Sequence, residues 1–425
     1  MEKDGCLYRN YCKILEEELI PAMGCTEPIA LAYAASKARE VLGELPDRVH
    51  MAVSGSIIKN VKSVIVPNTG KMKGMKAACA VGIVAGDAAK ELEVISSVSD
   101  GQRKELTEYL EKCPMVVEPV DNGHVFDIIV TEYAGESYAK VRIVDTHTNI
   151  VLVEKDGKIL LQKEVEAAGP VEGGADRSTM TMEGIWDFIH SLDVSDVKEL
   201  LDRQIRYNTA IAREGLRGKY GANIGSLLLE TGKDVATRAR AMAAAGSDAR
   251  MNGCELPVVI NSGSGNQGIT VSVPVIEYAK ELGVSEEKLY RALALSNLVS
   301  VHEKYGIGTL SAFCGAVSAG AAAGAGIAYL LGADFRTVCL TVSNALASIS
   351  GIVCDGAKAS CAARISTAVE AGIMGYQMAK KGQNFDGGDG LVMDEIEDTI
   401  RCIGLLASIG MKGTNEEIIQ LMMEN

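Results

Sequence analysis

CGAVSAGAAAGAGIAYLLGA, residues 314–333, is the stretch whose reading decides the fold. From Tyr305 to Ala333 no residue is charged, and a membrane-spanning helix needs only ~20 apolar residues. Yet the run is mostly Gly, Ala and Ser, is weakly hydrophobic, and has no second run like it in the chain. A helix buried at the centre of a helical bundle fits it better than a membrane span. The whole composition agrees. Aromatic residues are 4%, hydrophobic residues 47%, and there are 45 glycines in 425 residues, against a typical glycine share of ~7%. A core poor in rings and rich in Gly and Ala implies backbones that approach closely.

Outward from that helix, the chain divides. Residues 7–19 and 28–43 read as helices, the second opened by Thr26 as N-cap with Pro28 in its first turn. RVHMAVSGSIIKNVKSVIVPN (48–68) is β-branched and broken at SGS and KN, and predicts two short strands. Residues 69–95 read as a loop running into a helix. From Met115 to Lys163 the pattern alternates, with turns at DNG, GES, THTN and KDG, which predicts an antiparallel sheet. AAGPVEGGADRST (167–179) is the best linker, and beyond it nearly everything has helical period. The expected class is α+β. An α/β lobe over 1–170, with a small, mostly antiparallel sheet, precedes a larger all-helical lobe over 171–425 with a Gly/Ala-rich buried core.

The net charge of −14 excludes nucleic acid and anionic membrane as natural partners, since both want a basic face. MEKDGCLYRN has no apolar stretch and predicts no secretory signal. Eleven cysteines, an odd number spread along a long chain, do not form a disulfide framework, so a reducing cytoplasm is expected.

The cysteines differ in company. Cys6, Cys12, Cys79, Cys113, Cys339 and Cys402 lie in apolar runs and read as core, and Cys254 as structural. Cys314, Cys354 and Cys361 sit at the edges of Gly/Ala-rich helices, the last two within GIVCDGAKASCAARI (351–365). Small neighbours let an inorganic body approach and leave amide N–H groups free to point at sulfur. The spacing C-x39-C-x6-C is not a ferredoxin pattern, so buried thiols and cluster ligands both remain open. Three ligands would leave one iron open, which makes a Lewis acid rather than an electron relay. Cys25, in PAMGCTEPIALAYAASKA, falls at a helix start, where the macrodipole favours a thiolate. A loop cysteine tucked under the helix is the plainer reading.

LPVVINSGSGNQGITVSVPVIEYAK places Gly263, Gly265 and Gly268 as G-x-G-x-x-G after an apolar run. No second parallel strand follows, so a dinucleotide fold is not supported. The same loop suits a smaller anion: Ser262, Ser264, Gly265 and Asn266 could hold a carboxylate, or form only a tight turn. Lys73, with Lys71 and Lys76 in TGKMKGMKAA, is a second candidate for a carboxylate. His147, in the THTN turn, and Lys304, near Cys314 in sequence, are candidates to reach a cleft between the lobes.

GCTEP (24–28), SGSGNQG (262–268), CGA (314–316) and CDGAKASC (354–361), in this order, resemble the cysteine desulfidase family. This is the branch of the iron–sulfur L-serine dehydratases that fuses both lobes in one chain, and the resemblance runs over essentially the whole chain. It implies a [4Fe–4S] cluster held by Cys314, Cys354 and Cys361, no pyridoxal phosphate, and β-elimination from a small amino acid. Cys25 is then the candidate base, with Lys304 and His147 as further catalytic candidates, and Ser262, Ser264, Gly265, Asn266 and Lys73 as substrate-binding candidates. The ligand pair CDGAKASC is shorter than in the serine dehydratases proper and lacks proline. That favours L-cysteine, giving pyruvate, ammonia and hydrogen sulfide, and leaves L-serine dehydration as the alternative. A non-catalytic iron–sulfur sensor is the second alternative, and a homo-oligomer is left open.

Overall fold

A computed structural model describes residues 1–3, 5–165 and 174–424. The expected lobe boundary at 170 and the first part of the 167–179 linker lie outside the described residues.

The chain opens with α1 (Cys6–Glu18), β1 (Pro21–Met23) and α2 (Thr26–Leu42). β2 (Arg48–Ser54) runs straight into α3 (Gly55–Val61), followed by α4 (Gly74–Ala85) and α5 (Asp100–Lys112). Next come β3 (Met115–Val120), β4 (Asp127–Ala134), β5 (Ser137–Val144), β6 (Ile150–Lys155) and β7 (Lys158–Gln162). These form a six-stranded sheet in the order β3-β2-β4-β5-β6-β7, in which only β2 and β3 are parallel. Helix α2 lies across β4 and β5 and carries α4 on its other side.

Two strands were expected over 48–68, and the structure has one. Ile57 and Ile58 favour extended backbone by propensity. In α3 both Ile57 and Val61 are instead wholly buried, and that tertiary packing wins over the local preference. Thr26 was expected to cap α2. The N-cap is Cys25, and Thr26 lies inside the first turn, its hydroxyl donating across the molecule to the Gly263 carbonyl at 2.9 Å. Cys6 was expected in the core and is exposed.

The second half holds α6 (Met182–Ser191), α7 (Lys198–Arg217), α8 (Ile224–Thr231), α9 (Val235–Met251) and the short β8 (Pro257–Val259). After them come α10 (Gly265–Leu282), α11 (Glu286–Ile307), α12 (Gly315–Leu330) and α13 (Phe335–Ile349). The chain ends with α14 (Cys361–Lys381), α15 (Ile396–Leu405) and α16 (Lys412–Glu424). The opening stretch is α12, packed against α10, α11, α13 and α14 and buried over nearly its whole length. Glycine makes that possible: a methyl group at Gly320 would stand 2.4 Å from the Ala368 carbonyl oxygen, and one at Gly372 2.2 Å from that of Gly320. No helix among the described residues is long and apolar enough to cross a membrane.

Helix α1 packs on α6 and α11, and two further contacts tie the halves together. β1 pairs antiparallel with β8, Pro21 opposite Val259, and α16 returns to pack on α3.

Candidate functional site

Four helix N-termini meet where the halves join. Cys25 caps α2, Ser264 caps α10, Cys314 caps α12, and Cys361 is the first residue of α14. Cys361 and Ala357 pack against a small cluster of Cys25, Val64 and Met251. Thr26 bonds Gly263, and the Gln267 amide lies so close to Gly315 that a methyl group there would meet it at 2.6 Å. Each terminus presents N–H groups without helical partners and a partial positive charge, so the shared volume favours anions.

The two loop cysteines are held by a fragment of ladder. Phe313 bridges Val353, the Cys314 N–H donates to the Ile352 carbonyl at 3.0 Å, and the Cys354 N–H to that of Ala312 at 2.5 Å. Cys354 bears on both of the other thiols. Burial, then the neighbouring Cys354, pushes the Cys314 thiol up to about 12, while the Ala316 amide and Arg364 oppose this. Burial also raises Cys361, against the Lys358 amide and ammonium. Cations stand around them. Lys59 is buried, its Nζ donating to Asn415 Oδ1 at 2.6 Å, and burial lowers it while Cys354 and Glu27 raise it. Lys304 is half-buried and donates to the Gly308 carbonyl at 2.5 Å. Burial brings its ammonium down to about 8, against the pull of Cys354 and Cys314. Arg364 and Lys358 both bond Asp355, and outweigh the effect of burial to hold that carboxyl at about 2.

Among the described residues no three His, Cys, Asp or Glu groups converge tightly enough to hold a single metal ion. A cluster is a wider body than an ion. Three neighbouring thiols, amides bearing on two of the sulfurs, and surrounding cations are a donor set that fits one, because thiolates are its usual ligands and need their charge offset.

Cys25 departs from expectation. Its thiol is buried and donates to Glu27 Oε2 at 3.0 Å. Burial, then the Glu27 charge, pushes the thiol well above its usual value, which outweighs the helix end that was expected to make a thiolate. The charge of the pair sits on Glu27. Burial would raise that carboxyl, but His147, the Cys25 thiol and Arg250 hold it below its usual range, and Asn60 Nδ2 donates to its other oxygen at 3.0 Å.

The structure brings His147 into this group. Its ring packs edge-on to Phe126 at 4.8 Å and touches Gly263, and its buried Nε2 has no partner. Burial lowers the imidazole from its usual value, against the pull of Glu27. Ser262 and Ser264 lie in the loop that leads into α10, and Gly265 and Asn266 are its first residues. The Ser262 N–H is taken by Glu18 Oε2 at 2.9 Å, and Asn266 Oδ1 is buried without a partner. Lys73 does not join them: it caps α4 with its side chain exposed. Glu27, Asn60, Lys59 and Arg250 were not singled out from sequence. The available signal was a charged residue inside an otherwise small-residue helix, as Arg250 is in AMAAAGSDARM.

The profile of the family described as serine dehydratase alpha chain matches residues 87–420. A UPF0597 protein of Desulfitobacterium hafniense is 55% identical over 424 residues, covering 100% of this chain and 98% of that protein. UPF0597 proteins of Lachnoclostridium phytofermentans and Finegoldia magna are 50% and 47% identical, each over 98% of this chain and 100% of the relative.

Proposed function

The chain belongs to the serine dehydratase alpha chain family, and from that premise we propose that it is a lyase acting on L-cysteine without pyridoxal phosphate. The products are pyruvate, ammonia and hydrogen sulfide, formed in a reducing cytoplasm. The observation that carries the reading is the meeting of an anionic Glu27–Cys25 pair, a three-thiol group and a glycine loop at four helix ends.

Cys314, Cys354 and Cys361 would hold a [4Fe–4S] cluster, which supplies a soft Lewis acid for a sulfur leaving group when bound. The chain's own residues do the rest. The substrate carboxylate lies against the loop Ser264–Asn266, whose helix end favours it. The Cα proton passes to the Cys25 sulfur as the sulfur's own proton passes to Glu27 Oε2, so the pair ends with one proton more and no thiolate accumulates. Such a positioned base contributes ~10²–10⁴-fold. His147 and Phe126 close the side of the site and keep water from it. Loss of hydrosulfide leaves aminoacrylate, which tautomerises and takes up water to give pyruvate and ammonia unaided.

Anaerobic purification with iron and sulfide counts, followed by product assays, tests this. Sulfide release from L-cysteine should exceed pyruvate release from L-serine. The reverse order makes the chain a serine dehydratase on the same site. Neither product, with a reversible reduction signal, makes it a sensor.

A further inference from the structure

Arg250, next to last in α9, is 2% exposed, the largest side chain among the described residues that is essentially out of water. Its Nε donates to the Gly24 carbonyl at 2.8 Å, while its buried Nη2 has no partner. Among the described residues no carboxylate closes an ion pair with it, and Glu27 acts on it only at longer range. A buried guanidinium left with an unmatched donor is destabilising unless an anion arrives. The residue above it is shaped for the same purpose. A methyl group at Gly265 would sit 2.4 Å from Arg250 Nε and 2.8 Å from Cζ, so only glycine lets the guanidinium lie under the α10 loop. Further orphaned polar atoms belong to the same walls: His147 Nε2, Asn266 Oδ1, Gln267 Oε1 and Asn60 Oδ1.

We infer that Arg250, lying against Gly265 at the start of α10, is the charged anchor for the α-carboxylate of the substrate. The inference rests on the amino-acid reading above and adds to it a residue and a selectivity. A loop of amides alone accepts any small anion. A planar guanidinium with a free N–H selects a carboxylate and fixes its plane, which aims Cα at the Cys25–Glu27 pair. The competing role, a counter-charge to Glu27, needs no substrate. It predicts a changed pH profile in Arg250 variants and no change in carboxylate selectivity.

The test is calorimetric titration of the anaerobically purified protein with L-alanine, which has no leaving group, and with L-alaninamide, which has no carboxylate. The wild type should prefer L-alanine by roughly 10–100-fold, the range of a charged hydrogen bond. Arg250→Gln should abolish that preference, and Arg250→Lys should retain part of it. A wild type that binds both alike overturns the inference, as does an Arg250→Gln protein that keeps the preference. Should Arg250→Gln fail to fold by circular dichroism, the wild-type ratio and the Lys variant decide. Sulfide release is scored separately: carboxylate preference without turnover sinks the elimination reading and leaves Arg250 in place.

Discussion

Two places in the molecule gather cysteines, and they differ in what surrounds the sulfur. Under the sheet, Cys79 and Cys113 lie with Tyr109 and Glu132 among apolar side chains. Burial pushes both thiols up and raises Glu132 well above the usual carboxyl range; Arg39 opposes this only from a distance, and neither Glu132 oxygen has a partner. At the helix ends, Cys314, Cys354 and Cys361 are only partly buried, and Lys59, Lys304, Lys358 and Arg364 stand near them. Burial by itself makes a thiol inert. Burial with cations and free amides makes a place where thiolates can exist once something binds them.

The largest effect that sharpens this contrast comes from Cys354→Ala. It should remove bound iron and all turnover, while Cys113→Ala should keep both and lower stability by only about 1 kcal/mol, the scale of one buried group. Iron counts and urea midpoints on the two variants check it, and iron loss in Cys113→Ala would break the comparison. Next, Glu27→Gln should keep iron and lower kcat by ~10²–10⁴-fold, because the proton leaving Cys25 loses its acceptor. A decrease below tenfold removes Glu27 from proton transfer. The smallest effect belongs to Glu132→Gln. With the folded-state value raised, the native protein holds this proton more tightly than the unfolded chain. Its stability therefore falls as pH rises past the ordinary 4.5. The glutamine variant should lose that slope and unfold at higher urea than wild type in neutral buffer, with no difference in acid.

Part of this was legible in sequence and part was not, for physical reasons. Gly/Ala composition located α12, alternation located β4 to β7, and the G-x-G-x-x-G run located the α10 loop, because each signal lies within one stretch of chain. The parallel pairing of β3 with β2 did not show, since it joins segments separated by α3 to α5. Arg250 looks like a solvated helix residue until β8 and the α10 loop close over it. The state of Cys25 was misjudged for a related reason. A helix end is visible in sequence, while the carboxylate two residues on turns inward only because Asn60 and Thr26 hold it there. Lys73 shows the reverse: a basic cluster in sequence that the fold leaves facing water.

The meeting of four helix ends has a consequence for any mutational survey of this protein. Much of the positive potential there comes from peptide dipoles, which no side-chain replacement deletes and no ordinary pH change neutralises. A survey by alanine substitution would rank the lysines and arginines and credit the helices with nothing. Replacing single peptide links by esters, for instance at Ala316, would expose that silent share.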